Sequence, residues 1–117
     1  MVSIDLSGHC ILIVEDEPLI AMEIAAALQS ARAAVSTAGT LQEALRLAEE
    51  PAHSLAIIDL ALGRESTLKV CNRLSERSVP FMIYTGYSDI PPECKPSAVL
   101  RKPADRETIL RAVAALV

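Results

Sequence analysis

Four apolar runs in this chain each end at a polar residue suited to metal or phosphoryl chemistry. Glu15 and Asp16 follow Cys10-Ile11-Leu12-Ile13-Val14, and Asp59 follows Leu55-Ala56-Ile57-Ile58. Thr85 follows Phe81-Met82-Ile83-Tyr84, and Lys102 follows Ala98-Val99-Leu100-Arg101. Three carboxylates about 5 Å apart would repel by roughly 3 kcal/mol per pair at an effective dielectric of about 20. Such a cluster calls for a cation. Hard oxygen donors with no Cys or His in reach suit Mg²⁺ better than zinc. Asp16 and Asp59 would be direct ligands, with Glu15 acting through a water. An acidic cap on the following helix explains Glu15-Asp16-Glu17 taken alone, but it leaves Asp59 unexplained.

Asp59 ends an apolar run before a turn at Ala61-Leu62-Gly63. A carboxylate there could be a nucleophile that forms an acyl phosphate. That chemistry needs in-line positioning and charge neutralisation more than a strong base. Mg²⁺ and the Lys102 ammonium could neutralise the phosphoryl oxygens while the Thr85 hydroxyl donates to one. Singly, Thr85 reads as a strand-end hydrogen-bonder and Lys102 as a solvated charge; their shared placement gives them a role.

Apolar runs of four to six residues between helical patterns read as buried parallel strands. The spacing predicts strands at 10–15, 34–38, 54–59, 81–85 and 98–101, and helices at 18–32, behind Thr40, and at 66–77. Pro18 suits a first helical position. Ile20, Ile24, Ala27, Leu28 and Ala31 form the inward stripe of the first helix. Thr40 and Glu43 form a capping box ahead of Leu41, Ala44, Leu45 and Ala48. Leu68, Cys71 and Leu74 are apolar positions of the third helix. Asp105 caps the last helix, whose Ile109, Leu110, Val113 and Leu116 or Val117 pack inward. Residues 86–96 carry three prolines and read as a loop with at most one helical turn. The expectation is an α/β fold: one flavodoxin-like domain over residues 1–117, a doubly wound five-stranded parallel sheet of order 2-1-3-4-5 with an eroded fourth helix. The order brings the loops after strands 1 and 3 to the switch point, where ligands bind.

Composition narrows the class. Of 117 residues, 51% are apolar but only 3% are aromatic, so the core must be aliphatic. No apolar stretch approaches the ~18 residues of a membrane span and no signal segment opens the chain, which makes a cytoplasmic address the default. A net charge of −4 without a basic stripe argues against nucleic acid. Cys10 and Cys71 read as small core residues, and the wide cysteine spacing argues against a disulfide or zinc site. His9 and His53 read as loop or strand-edge residues.

From about Cys10 to Leu116 the chain resembles the CheY-like receiver domain of bacterial two-component response regulators. Ile13-Val14-Glu15-Asp16-Glu17-Pro18 looks like that family's acidic-pair segment, and Ile57-Ile58-Asp59-Leu60 like its phosphoacceptor strand. Thr85-Gly86 and Lys102-Pro103 match its switch hydroxyl and its lysine with a following cis-proline. The resemblance implies that Asp59 accepts a phosphoryl group from a histidine kinase or histidine phosphotransfer protein. It implies Mg²⁺ held by Asp16, Asp59 and the Ala61 carbonyl, with Glu15 in support. It also makes Ala61 and Tyr87 the positions that tune hydrolysis, bulky Tyr87 hindering the attacking water.

Two departures bear on output. Val99 stands where typical receivers carry a Tyr or Phe rotamer switch, and the proline-rich segment replaces the fourth helix. Pro80-Phe81-Met82-Ile83-Tyr84-Thr85-Gly86-Tyr87 looks like the single-domain FATGUY subfamily, named for its Phe-Ala-Thr-Gly-hydrophobe-Tyr signature, found in alphaproteobacteria and tending to a mobile fourth helix. The resulting expectation is a phosphoacceptor signalling module, not an enzyme acting on other substrates, that switches conformation to control binding of a downstream protein. A pseudo-receiver that only binds protein and a small aspartate-based phosphohydrolase are the alternatives. The hydrolase reading lacks a second acid at Ala61, and a flavodoxin-like FMN site lacks a Ser/Thr-rich phosphate loop after strand 1.

Overall fold

The structure, a computed structural model, describes residues 3–62, 65–86 and 90–117. The turn expected at Gly63 and the Tyr87 side chain lie outside the described residues. Strands β1 (Cys10–Val14), β2 (Ala34–Ala38), β3 (His53–Ile58), β6 (Phe81–Thr85) and β7 (Ala98–Arg101) build one parallel sheet. Its order is β2-β1-β3-β6-β7, which among its own strands is the expected 2-1-3-4-5. Helices α1 (Pro18–Ser30), α2 (Leu41–Ala48), α3 (Leu68–Glu76) and α4 (Arg106–Ala114) cover its two faces.

Side-chain alternation explains the double winding, because successive residues of a strand face opposite sides. Leu12, Val14, Ala56, Ile58, Phe81 and Ile83 join one core with Ala44, Leu47, Cys71 and Leu74 from α2 and α3. Ile11, Ile13, Leu55, Ile57, Met82 and Tyr84 join the other with Ile24, Leu28, Ile109 and Val113 from α1 and α4. The three central strands are buried on both faces and so read as unbroken apolar runs. Edge strand β7 alternates between half-buried and exposed residues, and Val99 is exposed.

Several boundaries differ from the sequence reading. The strands β1 and β3 stop at Val14 and Ile58, so Glu15, Asp16 and Asp59 lie just beyond them. Helix α3 starts at Leu68 because Glu65–Ser66 (β5) pairs antiparallel with Ala61–Leu62 (β4), a small hairpin where a plain turn was expected. The helix α1 ends at Ser30 because Arg32 turns left-handed (φ 74°), and Ala33 N–H then donates to the Leu28 carbonyl. Thr40 caps α2 by accepting from Glu43 N–H, and the Glu43 carboxylate reaches the Gly39 amide at 3.3 Å. Of the two apolar candidates at the end of the chain, Leu116 is half-buried while Val117 is exposed.

The segment after β6 matches its expectation within the described residues 90–97: no helix forms, and one turn closes with Cys94 N–H on the Pro91 carbonyl. His53 is a strand-edge residue as expected, but a buried one. A register shift between Cys10 and Ile11 seats it opposite Cys10 as the first residue of β3, where it is buried and neither ring nitrogen has a hydrogen-bond partner. Cys10 is half-buried rather than a core residue.

Candidate functional site

The parallel register continues one residue past each strand end, and that extension assembles the site. Asp59 N–H donates to the Val14 carbonyl at 3.0 Å, and Glu15 N–H to the Ala38 carbonyl at 3.0 Å. Lys102 N–H donates to the Thr85 carbonyl at 2.9 Å. Neighbouring strands therefore deliver residues 15, 59, 85 and 102 at one edge of the sheet. Pro18 opens α1 directly behind Asp16 and Glu17, which fixes where the acidic pair leaves β1. The Lys102–Pro103 bond is cis.

Asp59 is the centre of the arrangement. Its Oδ2 accepts from Lys102 Nζ at 3.0 Å, and its Oδ1 accepts from the Thr85 hydroxyl and the Ala61 amide, each at 3.3 Å. Lys102 Nζ also donates to Glu15 Oε1 at 2.5 Å, and Glu15 Oε2 accepts from the Glu17 amide. Glu15, Asp59 and Thr85 are buried, while Asp16 is exposed. One carboxylate oxygen from each of Glu15, Asp16 and Asp59 lies within 4.8 Å of the other two. A cleft of ≈ 370 Å³ opens over them, lined by Asp16, Glu17, Asp59, Ala61, Thr85, Gly86 and Lys102. All five residues singled out at the strand ends thus meet at one place.

Burial raises the Glu15 carboxyl above its ordinary value, the Asp59 charge pushes the same way, and the Lys102 hydrogen bond opposes both. Burial works against the Lys102 ammonium, yet its bonds to Glu15 and Asp59 prevail and hold its pKa above the ordinary value. Lys102 is therefore the internal counter-charge of the cluster. A single ammonium thus faces three carboxylate groups. That balance, an all-oxygen donor set and an open cleft fit a small divalent cation.

Three contributors were not singled out from the sequence. Thr67 is fully buried, and its hydroxyl donates to the Asp59 carbonyl at 3.0 Å and to the Leu60 carbonyl at 3.3 Å, fixing the backbone that carries the acceptor. Its placement just ahead of α3 was the available signal. The Glu17 amide orients Glu15, a contact with no side-chain signature. The Tyr84 ring lies 5.6 Å from Lys102 Nζ, and its hydroxyl accepts from Ala104 N–H at 3.0 Å, bracing the turn after the lysine.

Residues 11–114 match the family model for the response regulator receiver domain. The fold is similar to a CheY-like receiver domain protein from Methanospirillum hungatei JF-1, at TM-score 0.85 and 22% identity, over 93% of each chain. It is similar to the chemotaxis response regulator CheY4 of Vibrio cholerae, at TM-score 0.82 and 22% identity, over 95% of this chain and 100% of that one. A response regulator protein from Burkholderia pseudomallei, whose structure contains a phosphorylated aspartic acid, a calcium ion and citrate, matches at TM-score 0.81 and 28% identity. That match spans 93% of this chain and 66% of the other. No curated protein matches the chain. The family match runs from the second residue of β1 to the end of α4 and so takes in every strand-end residue described above: this chain belongs to the response regulator receiver domains.

Proposed function

We propose that this domain is a phosphoacceptor of a two-component system, taking a phosphoryl group onto Asp59 from a phosphohistidine on a kinase or phosphotransfer protein. One observation carries the reading. A buried carboxylate at the mouth of a cleft is met by the Lys102 ammonium, the Thr85 hydroxyl and the Ala61 amide, with two further acids beside it.

In the transfer, an Asp59 oxygen attacks phosphorus, the new O–P bond forms, and the P–N bond breaks. The electron pair leaves with the imidazole, which is then protonated. Lys102 is in reach to follow the charge from Asp59 onto the phosphoryl oxygens, and Thr85 is placed to donate to one of them. Asp16 and Asp59, with Glu15 in support and the Ala61 carbonyl as a further donor, would hold Mg²⁺, which supplies charge neutralisation at those oxygens. The phosphorylated form would then control binding of a downstream protein, with the chain acting on itself alone and not as an enzyme on other substrates.

The aspartyl phosphate in the Burkholderia pseudomallei relative supports this reading. The test is incubation with acetyl phosphate and Mg²⁺ followed by intact mass measurement. One phosphoryl group should be gained, and none by Asp59→Asn or in excess chelator. Steady release of many phosphates per protein would favour the phosphohydrolase. No gain under any condition would favour a protein-binding pseudo-receiver.

A further inference from the structure

Cys94 and Cys71 place their sulfurs 3.1 Å apart inside the core under α3. Both are free thiols and both are buried, at 2% and 1% exposure. Cys71 sits in the middle of α3, a regular helix packed on β3 and β6. Cys94 belongs to the segment 90–97, where it is the buried residue and where Ile90 packs half-buried against the same core. One thiol therefore belongs to a helix of the scaffold and the other to the loop between β6 and β7, whose described residues 90–97 form no helix or strand.

We propose that Cys71 and Cys94 form an oxidative modification site, closing to a disulfide that fastens the loop between β6 and β7 onto α3. With a peroxide as oxidant the chemistry balances. The Cys94 sulfur, as thiolate, attacks one peroxide oxygen, the O–O bond breaks, and a sulfenic acid and water result. The Cys71 sulfur then attacks the Cys94 sulfur, the S–O bond breaks, and a second water leaves. The two sulfurs together give up two electrons, and both thiol protons end in water. Cys94 reacts first because its segment forms no helix or strand among the described residues, whereas Cys71 lies within helix α3. Burial raises both thiols above the ordinary cysteine value, so the closed protein holds them protonated and slow. Opening of the segment gates the reaction, and the second step follows without a search because Cys71 lies at the return position. Cys10, half-buried on β1, takes no part.

The cross-link closes a loop 23 residues apart in the chain, and that loop contains β6 and Thr85. Fastening it restricts the unfolded chain as well as the segment beside Thr85. The site does not depend on the phosphoacceptor reading, because the cysteines would pair equally in Asp59→Asn.

The test uses the whole reduced chain, treated with hydrogen peroxide, then denatured, alkylated and mapped by mass under non-reducing conditions. The expected product is a monomer lighter by two hydrogens, with the peptides of Cys71 and Cys94 linked, Cys10 alkylated, and full reversal by dithiothreitol. Cys10→Ser should give the same product. The oxidised protein should melt about 5–10 °C higher, and proteolysis within 90–97 should slow. Three outcomes overturn the proposal: Cys71 and Cys94 both alkylatable after oxidation, Cys94 carried to sulfinic acid without linkage, or dimers joined through Cys10. Should Cys71→Ser fail to fold, Cys94→Ser carries the same decision, because it must lose the cross-link and the rise in melting temperature together.

Discussion

Lys102 Nζ donates to Glu15 Oε1 at 2.5 Å although the two residues are 87 apart in the chain. The same ammonium holds Asp59 Oδ2 at 3.0 Å, so a single cation joins the ends of β1, β3 and β7. A crowd of carboxylates in need of positive charge was legible in the sequence. So was an ammonium at the same edge; that Lys102 pairs directly with Glu15 was not, because spacing along the chain does not give their separation.

Lys102→Met tests that role. The substitution leaves Glu15 and Asp59 buried without their shared partner, and breaking a buried pair costs several kcal/mol. The Lys102 side chain keeps 17% of its exposure, so water offsets part of the loss. A loss of about 2–3 kcal/mol at pH 7 is expected from denaturant unfolding. It should shrink in acid, where Glu15, whose pKa burial raises, takes up a proton. An equal loss at both pH values would assign Lys102 a packing role instead.

Glu15 sets a pH dependence of definite sign. Its folded pKa is raised, by burial first and the Asp59 charge second, so folding favours the protonated form. The corresponding stability is complete below the ordinary value of 4.5 and is lost as pH rises through the higher folded value. In chelator, the melting temperature should therefore fall across weakly acidic pH, and Glu15→Gln should flatten that slope. Mg²⁺ at about 100 times its dissociation constant should return about 2.7 kcal/mol at neutral pH. A melting temperature indifferent to Mg²⁺ would remove the metal from the site.

Ser78 offers a check on the fold away from the site. It follows the end of α3 at φ 59°, and Val79 N–H bonds back to the Leu74 carbonyl at 2.9 Å, the geometry in which glycine is preferred. Ser78→Gly should stabilise by about 0.5–1 kcal/mol, since a side chain in the left-handed region costs about 1–2 kcal/mol and the added freedom of the unfolded chain returns part of it. Ser78→Ala should be nearly neutral. Destabilisation by the glycine in a urea melt would refute the assignment.

Most of the architecture followed from periodicity, and the reasons for the exceptions are physical. The central strands are apolar on both faces, so the double winding and the order of the sheet were readable from Ile11–Val14, Leu55–Ile58 and Phe81–Tyr84. The caps Thr40 and Asp105 were readable because the accepting oxygen and the donating amide are three residues apart. The β4–β5 hairpin was hidden because two-residue strands have no period to detect. The burial of His53 was hidden because it follows from a register slip. At the site, five strand-end residues announced themselves by type and position. Thr67 and Tyr84 did not, since each acts by holding backbone or a neighbour in place. The Cys71–Cys94 juxtaposition was likewise absent from the spacing, because it depends on how the proline-rich segment folds back over α3.

That segment carries the last prediction. The Thr85 hydroxyl donates to Asp59 Oδ1 at 3.3 Å. A phosphoryl group on Asp59 offers the hydroxyl a new acceptor, and any movement of Thr85 passes through Gly86 into the residues that follow. In the described part of the segment, Cys94 is buried, Ile90 and Pro96 are half-buried, and no helix or strand forms. A segment without helix or strand bonds opens locally at lower free energy than the sheet and helices around it. Beryllofluoride with Mg²⁺, mimicking the phosphoryl group, should therefore slow amide exchange across 90–96 by about tenfold or more. Thr85→Ala should abolish the slowing while leaving the melting temperature gain from Mg²⁺ in place. The measurement belongs in reductant, so that no Cys71–Cys94 bond orders the segment on its own. Exchange unchanged by beryllofluoride in the unsubstituted protein would mean that Thr85 does not pass the state of Asp59 to this loop, and the output would have to lie on another face.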